Sequence, residues 1–481
     1  MPENLADTSR SPLLRELAHR MSAITLDACP SQAVATAKSA ILDTLGVTLA
    51  GAGADCTRAV SRALDRSFAP GPALLFGDSR RVDILSAAMI NGTASHALDF
   101  DDCSNTLGGH PSAPIVPALF ALAEERGVSG EAFLAAYIAG FEVETRIGRA
   151  VNFHHYEKGW HPTGTLGTFG SAAACSHLMG LEGERAATAL AFASSMAAGI
   201  KANFGTMAKP FHVGQCARNG LQAALLAEAG ATANVSALEH PQGFFAVYNG
   251  VGNFDIERVL NSWADPLDII EPGVAFKRHP CCASTHPAID ALLDLRERHG
   301  LTPDLVASIR SWTHPRRLRH TDRPDPRDGL DGKFSVQYVL ARALMHGLVS
   351  VDHFSDEAVF DRTARNVMAR ITAAPHPDAV METTEHFFAE VQVVTVGGEV
   401  LSTFVDRPLG RDRNHPLPDG TLTAKFEDCA VAVVDLEHAR ECARRISLLE
   451  HEPDIAEISR LLLPSAIGSA ARHQPADIVR N

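Results

Sequence analysis

Ile84-Leu-Ser-Ala-Ala-Met-Ile-Asn-Gly-Thr-Ala-Ser-His-Ala-Leu98 runs directly into Asp99-Phe-Asp-Asp-Cys-Ser-Asn-Thr-Leu-Gly-Gly-His110-Pro-Ser-Ala-Pro114. The first segment reads as an apolar helix, and Ile115 to Glu125 reads as another. Two helices that are apolar nearly all round belong to the interior of a large helical domain. The loop between them packs three carboxylates (Asp99, Asp101, Asp102) and His110 into twelve residues. Aspartates are seldom buried unless they are paired or hydrogen-bonded. Beside a histidine at a helix junction, such a cluster suits general acid–base chemistry. Solvated aspartates capping the next turn would explain the same residues, and the loop alone does not choose.

Working outward, the first 260 residues carry helical patterning punctuated by Gly and Pro. It predicts helices over 11–24, 31–50, 82–98, 112–127, 130–151, 165–179, 183–198, 211–229 and 256–263, with Gly230 as a stop signal. After about residue 265 the character changes. Residues 305–313 read as a strand, 347–351 and 367–373 are mixed, and 390–404 read as a hairpin turning at Gly397-Gly398. Helices are predicted over 287–298 and 336–345, and helical composition returns over 422–449. The expected fold is therefore mainly α with an α+β second domain. Residues 1–266 form a helical domain rejoined by 406–481, and 267–405 form the α+β domain. The tail after Pro464 reads as mobile.

Composition narrows the function classes. The chain has 481 residues, 46% of them hydrophobic, and a net charge of −14. Those values suit a packed multi-domain protein and argue against a nucleic-acid groove, which needs a basic stripe. The nine cysteines follow no framework spacing, which indicates reduced thiols and a cytoplasmic protein. The start, Met1-Pro-Glu-Asn-Leu-Ala-Asp7, is polar and acidic, unlike a signal peptide. No apolar run is read as reaching the length of a membrane span, so neither membrane nor nucleic acid is an expected partner.

Three further constellations hold chemistry-bearing residues. Gly159-Trp-His161-Pro-Thr163-Gly-Thr165 sets a histidine at a helix entrance, where backbone N–H groups bind anions; a solvent-exposed turn histidine is the plainer alternative. Ile200-Lys-Ala-Asn-Phe-Gly-Thr-Met-Ala-Lys209-Pro-Phe-His212-Val-Gly214 is a polar linker between apolar helices, and Lys209 is a candidate carboxylate clamp. Phe276-Lys277-Arg278-His279-Pro-Cys281-Cys282-Ala-Ser-Thr-His286 gathers two cations, two histidines and two thiols. Adjacent cysteines without a second pair make a poor zinc or iron–sulfur set, so no metal is expected. A Cys–His nucleophile pair stays open.

Taken in order, these motifs resemble the MmgE/PrpD family: Leu98-Asp-Phe-Asp-Asp with His110-Pro-Ser, Gly159-Trp-His-Pro-Thr-Gly, Gly205-Thr-Met-Ala-Lys-Pro-Phe-His-Val-Gly214, and Lys277-Arg-His-Pro-Cys-Cys with His286. Ile41-Leu-Asp-Thr-Leu-Gly46 and Lys333-Phe-Ser-Val-Gln-Tyr338 are similar to that family too. The resemblance implies a helical domain built from both chain ends, a smaller α+β lid and a homodimer. It also implies a small polycarboxylate substrate and no metal or organic cofactor. The family includes 2-methylcitrate dehydratases, cis-aconitate decarboxylases and iminodisuccinate epimerases.

Carried over by motif, Asp99, His110, His161 and Lys209 fall on active-site positions. Cys103 stands where the decarboxylases carry threonine, and Cys282 where their lid carries histidine; both departures count against decarboxylation. The eleven-residue step from Asp99 to His110 is in keeping with the epimerase. The implied chemistry is proton abstraction alpha to a carboxylate, with the developing charge stabilised electrostatically. Lys209, Lys277 and Arg278 would bind carboxylates, and His161 or His110 would be the base. Asp99 would orient a histidine and Tyr338 would donate a proton. Cys103, Thr163, Cys282 and His286 complete the expected substrate contacts. A lyase of the 2-methylcitrate dehydratase type is the expected activity. An epimerase, a decarboxylase and a non-catalytic helical scaffold are the alternatives.

Overall fold

A computed structural model describes residues 11–378 and 387–464. The N-terminal heptapeptide and the tail after Pro464 singled out above lie outside the described residues. The described chain divides into two compact units.

Among the described residues the first unit comprises 11–97, 101–274 and 422–464. Its helices in chain order are α1 (Leu13–Ser22), α2 (Ser31–Gly51), α3 (Asp55–Leu64), α4 (Ile84–His96), α5 (Ser112–Arg126), α6 (Gly130–Val151), α7 (His154–Lys158), α8 (Pro162–Thr165), α9 (Gly167–Leu178), α10 (Gly183–Met196), α11 (Ala208–Glu228), α12 (Phe244–Asn249) and α13 (Glu257–Leu260). The boundaries have local causes. Asp83 accepts a hydrogen bond from the Ser86 amide at the start of α4, and Ser129 accepts one from the Ala132 amide at the start of α6. Gly127 takes the left-handed conformation that ends α5. The helix predicted over 165–179 is instead two, with α8 opening on Pro162 and α9 starting at Gly167. Sequence patterning missed α3, α7 and α12. It also missed a two-stranded antiparallel ribbon of β1 (Pro70–Leu74) and β2 (Arg81–Val82).

Helices α4, α5, α9 and α11 share a core of small and aliphatic side chains: Ala87, Ala88, Ile90, Ala118, Leu122, Cys175, Ala217 and Leu221. At Gly214 of α11 a Cβ would lie 2.1 Å from the Met89 carbonyl oxygen and 2.2 Å from Thr93 Oγ1. Only glycine permits that crossing with α4. Helix α2 corrects the reading that no run reaches span length: its 21 residues are long and apolar enough to cross a membrane. It is nonetheless a core helix, with Ala37, Ala40, Ile41 and Leu45 inaccessible to solvent.

Among the described residues the second unit comprises 98–100, 275–378 and 387–421. It contains β3 (Val306–Thr313), β4 (Ile371–Pro375), β5 (Ala389–Thr395) and β6 (Val400–Val405) in the order β4-β3-β5-β6. β3 runs parallel to β4 and antiparallel to β5, and β5–β6 is the hairpin read from sequence. Ala389, Val391 and Val393 alternate inward on β5 and pack with Ile289, Leu292, Val339 and Leu340 of α14 (His286–His299) and α15 (Val336–His346). The mixed stretch 347–351 is not a strand; a 3₁₀ turn follows it over Val351–Phe354. Residues 406–421 fall in this unit rather than the first: the Phe276 amide donates to the Gly410 carbonyl, and the Leu409 amide donates to Asp290. The chain then returns to the first unit through Thr421–Ala430, Leu436–Ser447 and Ala456–Leu461.

Candidate active site

Two histidines of the first unit, His96 and His110, converge on Asp101. The last turn of α4 carries His96, and the following loop carries Asp101, Asp102, Cys103 and His110. His96 Nδ1 lies 2.8 Å from Asp101 Oδ2, and His110 Nδ1 lies 3.0 Å from the same oxygen. The two rings meet edge to face with centroids 4.5 Å apart. On the loop's other flank the His110 amide donates to Thr163 Oγ1 at 3.0 Å. Gly109 allows that approach, since a Cβ there would lie 2.7 Å from the same hydroxyl. Thr163 thus anchors the backbone of His110. Cys103 Sγ stands 3.8 Å from His110 Nδ1.

His161 caps α8 and is 2% exposed. Its ring centroid is 5.7 Å from that of His96, and its Nδ1 is 3.2 Å from His212 Nδ1 in α11. One of those nitrogens must donate and the other accept, so the pair is not doubly protonated. Lys209, one turn before His212, stands 5.2 Å from the Phe204 ring centroid. A cavity lined by Met196, Gly199, Ile200, Phe211, His212 and Gln215 opens beside this turn.

Burial and charge assign the protons. Burial opposes a charge on His110, but the Asp101 carboxylate and Cys103 outweigh it and push His110 up to about 10. Burial likewise works against the Asp101 charge, yet His110 and His96 hold that carboxyl well below the ordinary range. Burial takes His96 down to about 4 despite Asp101, so His96 is neutral and donates from Nδ1. Burial, helped by His96, Lys209 and His212, depresses His161 well below the usual imidazole value. The unit therefore presents a charged His110 and a neutral His161 on either side of a neutral His96. His96, Asp101 and His110 offer ligand atoms within 4.8 Å of one another.

In the second unit Lys277 Nζ lies 3.1 Å from Asp99 Oδ1 and donates to the Asp99 carbonyl at 2.6 Å. Asp99 has φ of 53°, the left-handed region. Within the first unit Asp101 is the carboxylate that holds the two imidazoles, and Asp99 is paired to Lys277. Cys282 is hydrogen-bonded to His320; burial raises its thiol, but His320 overrides burial and brings it down to about 7.

Three of the expected site residues have protein partners. Arg278 pairs with Asp290 at 3.0 Å. His286 is buried against His279 at 5.1 Å between centroids, with Nε2 3.3 Å from the Cys281 carbonyl. Tyr338 packs against Phe354, and its hydroxyl donates to the His353 carbonyl and accepts from Arg342. A proton-donor role for Tyr338 is thereby corrected to a core role. Sequence reasoning missed His96, which looked like one more residue of an apolar helix. Its signal was a histidine in the last turn, five residues before Asp101.

Family comparison covers both units. The MmgE/PrpD N-terminal domain matches residues 15–257, and the MmgE/PrpD C-terminal domain matches 279–450. Cis-aconitate decarboxylase of Homo sapiens is 31% identical over 401 residues, covering 81% of this chain and 82% of that protein. Cis-aconitate decarboxylase of Aspergillus terreus is 26% identical over 488 residues, covering 96% and 98%. The mitochondrial 2-methylcitrate dehydratase of Yarrowia lipolytica is 26% identical over 351 residues, covering 69% and 66%.

Proposed function

This chain belongs to the MmgE/PrpD family, and on that premise we propose that it is a lyase of small polycarboxylates that eliminates water across a carbon alpha to a carboxylate. The observation that carries the reading is the opposite protonation of two histidines around His96. Neutral His161 is a base, and charged His110 is an acid. Dehydration needs both: one group removes the alpha proton and the other protonates the departing hydroxyl. Lys209 supplies positive charge for a substrate carboxylate and for the electron density that develops beside it. Asp101 keeps His110 charged and oriented. Base, acid and counter-charge all come from side chains, so the proposed reaction draws on no cofactor. A homodimer in a reducing cytoplasm belongs to the same proposal, and nine unpaired cysteines support the compartment.

Decarboxylation is the second reading, favoured by the names of the human and Aspergillus relatives. It needs an acid to protonate the carbanion left by carbon dioxide, and no base. Proton NMR in deuterated water with chelator present tests both on 2-methylcitrate, citrate, cis-aconitate and iminodisuccinate. Loss of water that requires His161 and His110 supports dehydration. Loss of carbon dioxide that requires His110 alone selects the second reading. Deuterium exchange at an alpha carbon without loss of a fragment makes the protein an epimerase and overturns the lyase.

A further inference from the structure

The end of α4 and the loop after it bring three kinds of metal-ligating side chain together within the first unit. Asp101 Oδ2 is the shared atom: His96 Nδ1 lies 2.8 Å from it and His110 Nδ1 lies 3.0 Å from it. Cys103 Sγ stands 3.8 Å from His110 Nδ1. Imidazole, carboxylate and thiolate are the donors that zinc takes, at about 2.0–2.1 Å to nitrogen, 2.0–2.2 Å to oxygen and 2.3 Å to sulfur. Around a tetrahedral ion with bonds of those lengths, neighbouring nitrogen and oxygen atoms stand about 3.3 Å apart, and nitrogen and sulfur about 3.6 Å. Each of the three separations lies within about 0.5 Å of that pattern.

The cluster is also held in place before any ion arrives. Asp101 is inaccessible to solvent and His96 is 1% exposed. His110 and Cys103 are partly exposed and give an ion its way in. His96 Nε2 is buried without a hydrogen-bond partner among the described residues. The His96 proton can therefore move from Nδ1 to Nε2 without breaking a bond at Nε2.

We propose that His96, Asp101, His110 and Cys103 form a binding site for a thiophilic divalent cation, zinc, and that zinc bound there inhibits the protein. The ion takes the place of protons. Asp101 enters as a carboxylate, His110 releases its ring proton to solvent, the Cys103 thiol releases its own, and His96 shifts its proton to Nε2. One zinc ion thus displaces two protons, and a carboxylate and a thiolate balance its charge. Those two anions stand against one cation, Lys209, whose charge reaches His96. The sulfur selects zinc over magnesium and calcium, which take oxygen ligands. Zinc binding is independent of the lyase reading. Inhibition rests on that reading, because an ion on His110 removes the acid.

The test uses the full chain, stripped with chelator and titrated with zinc chloride by calorimetry without substrate, with cobalt(II) as a spectroscopic probe. One zinc per chain should bind, magnesium should not compete, and cobalt should give a thiolate-to-metal charge-transfer band in the near ultraviolet. Cys103→Ser should remove that band and weaken zinc by more than about 100-fold, the upper end for losing an outer-shell partner of a metal. His110→Gln should weaken zinc to the same degree, and it carries the test if Cys103→Ser does not fold. Zinc in excess over the substrate, since polycarboxylates bind the ion themselves, should stop turnover, and chelator should restore it. Absence of saturable zinc binding, or a band and affinity unchanged in Cys103→Ser, overturns the site. Binding that needs Cys103 while turnover ignores zinc overturns the inhibition, and with it His110 as the acid. If no substrate in the panel turns over, the lyase reading fails, and binding alone decides the site.

Discussion

Replacing Asp101 with asparagine removes the charge that the site is built around while keeping the shape of the side chain. In the unaltered protein His110 is raised from 6.5 to about 10. At pH 7.5 that leaves about one molecule in 300 without the His110 proton. Asp101→Asn removes the largest charge that opposes burial, so His110 drops to about 6.5 or below and is charged in about one molecule in ten or fewer at pH 7.5. If His110 is the acid, kcat should fall roughly 10- to 100-fold at pH 7.5, within the range of general acid catalysis, and recover in part as the pH is lowered towards 5.5. Stability follows the same linkage. A raised folded-state pKa contributes fully below pH 6.5 and is lost as the pH rises through about 10. The pair is therefore worth roughly 5 kcal/mol below pH 6.5 and roughly 3 kcal/mol at pH 7.5, at about 1.4 kcal/mol per unit. Urea unfolding of both proteins at pH 6, 7.5 and 9.5 should show the difference shrinking. The reasoning is refuted if the gap is the same at pH 6 and 9.5, or if ¹⁵N shifts show His110 still protonated in the variant at pH 7.5.

His161→Ala should lower dehydration by about 10²–10⁴-fold, the range for losing a general base, while circular dichroism stays unchanged; a variant keeping most of its activity would exclude His161 as the base. Tyr338→Phe should cost stability of roughly 1–3 kcal/mol, because it strands the His353 carbonyl and Arg342 partners, yet leave kcat within a factor of about 2 of the parent; a large loss of kcat with unchanged Tm would return it to the site. Gly214→Ala drives a methyl to 2.1 Å from the Met89 carbonyl, so it should destabilise the first unit by about 1–3 kcal/mol or more despite its better helix propensity. Cys282, with its thiol near 7, should react with iodoacetamide at pH 7 before the buried Cys175, Cys429 and Cys442, whose thiols burial raises to about 12 or above.

Helices whose boundaries are chemical were legible. The predicted 130–151 coincides with α6, because Ser129 caps it and its apolar positions recur over six turns. The β5–β6 hairpin was legible for the same reason, since β-branched alternation meets a Gly-Gly turn. Periodicity does not reach features made by tertiary contact. The β1–β2 ribbon has only two residues in its second strand, and α8 gives way to α9 at Leu166, which is neither Gly nor Pro. The motifs identified the loop, the two histidines and Lys209. They did not show which aspartate faces the imidazoles.

That choice turns on side-chain direction rather than residue type. Asp99, Asp101 and Asp102 are chemically alike and nearly adjacent, yet they have three different fates. Asp99, in the left-handed region, takes Lys277 as its partner. Asp101 accepts two imidazoles, and Asp102 accepts Ser112 from the start of α5. A loop with three carboxylates can hold one as a lysine partner, one as a permanent anion and one near its titration point only if their environments separate them. Substitutions at Asp101 and Asp102 therefore discriminate. Asp101→Asn should drop the His110 titration by several pH units, and Asp102→Asn should move it far less. A His110 resonance that responds equally to both would mean that net charge, not placement, governs the site.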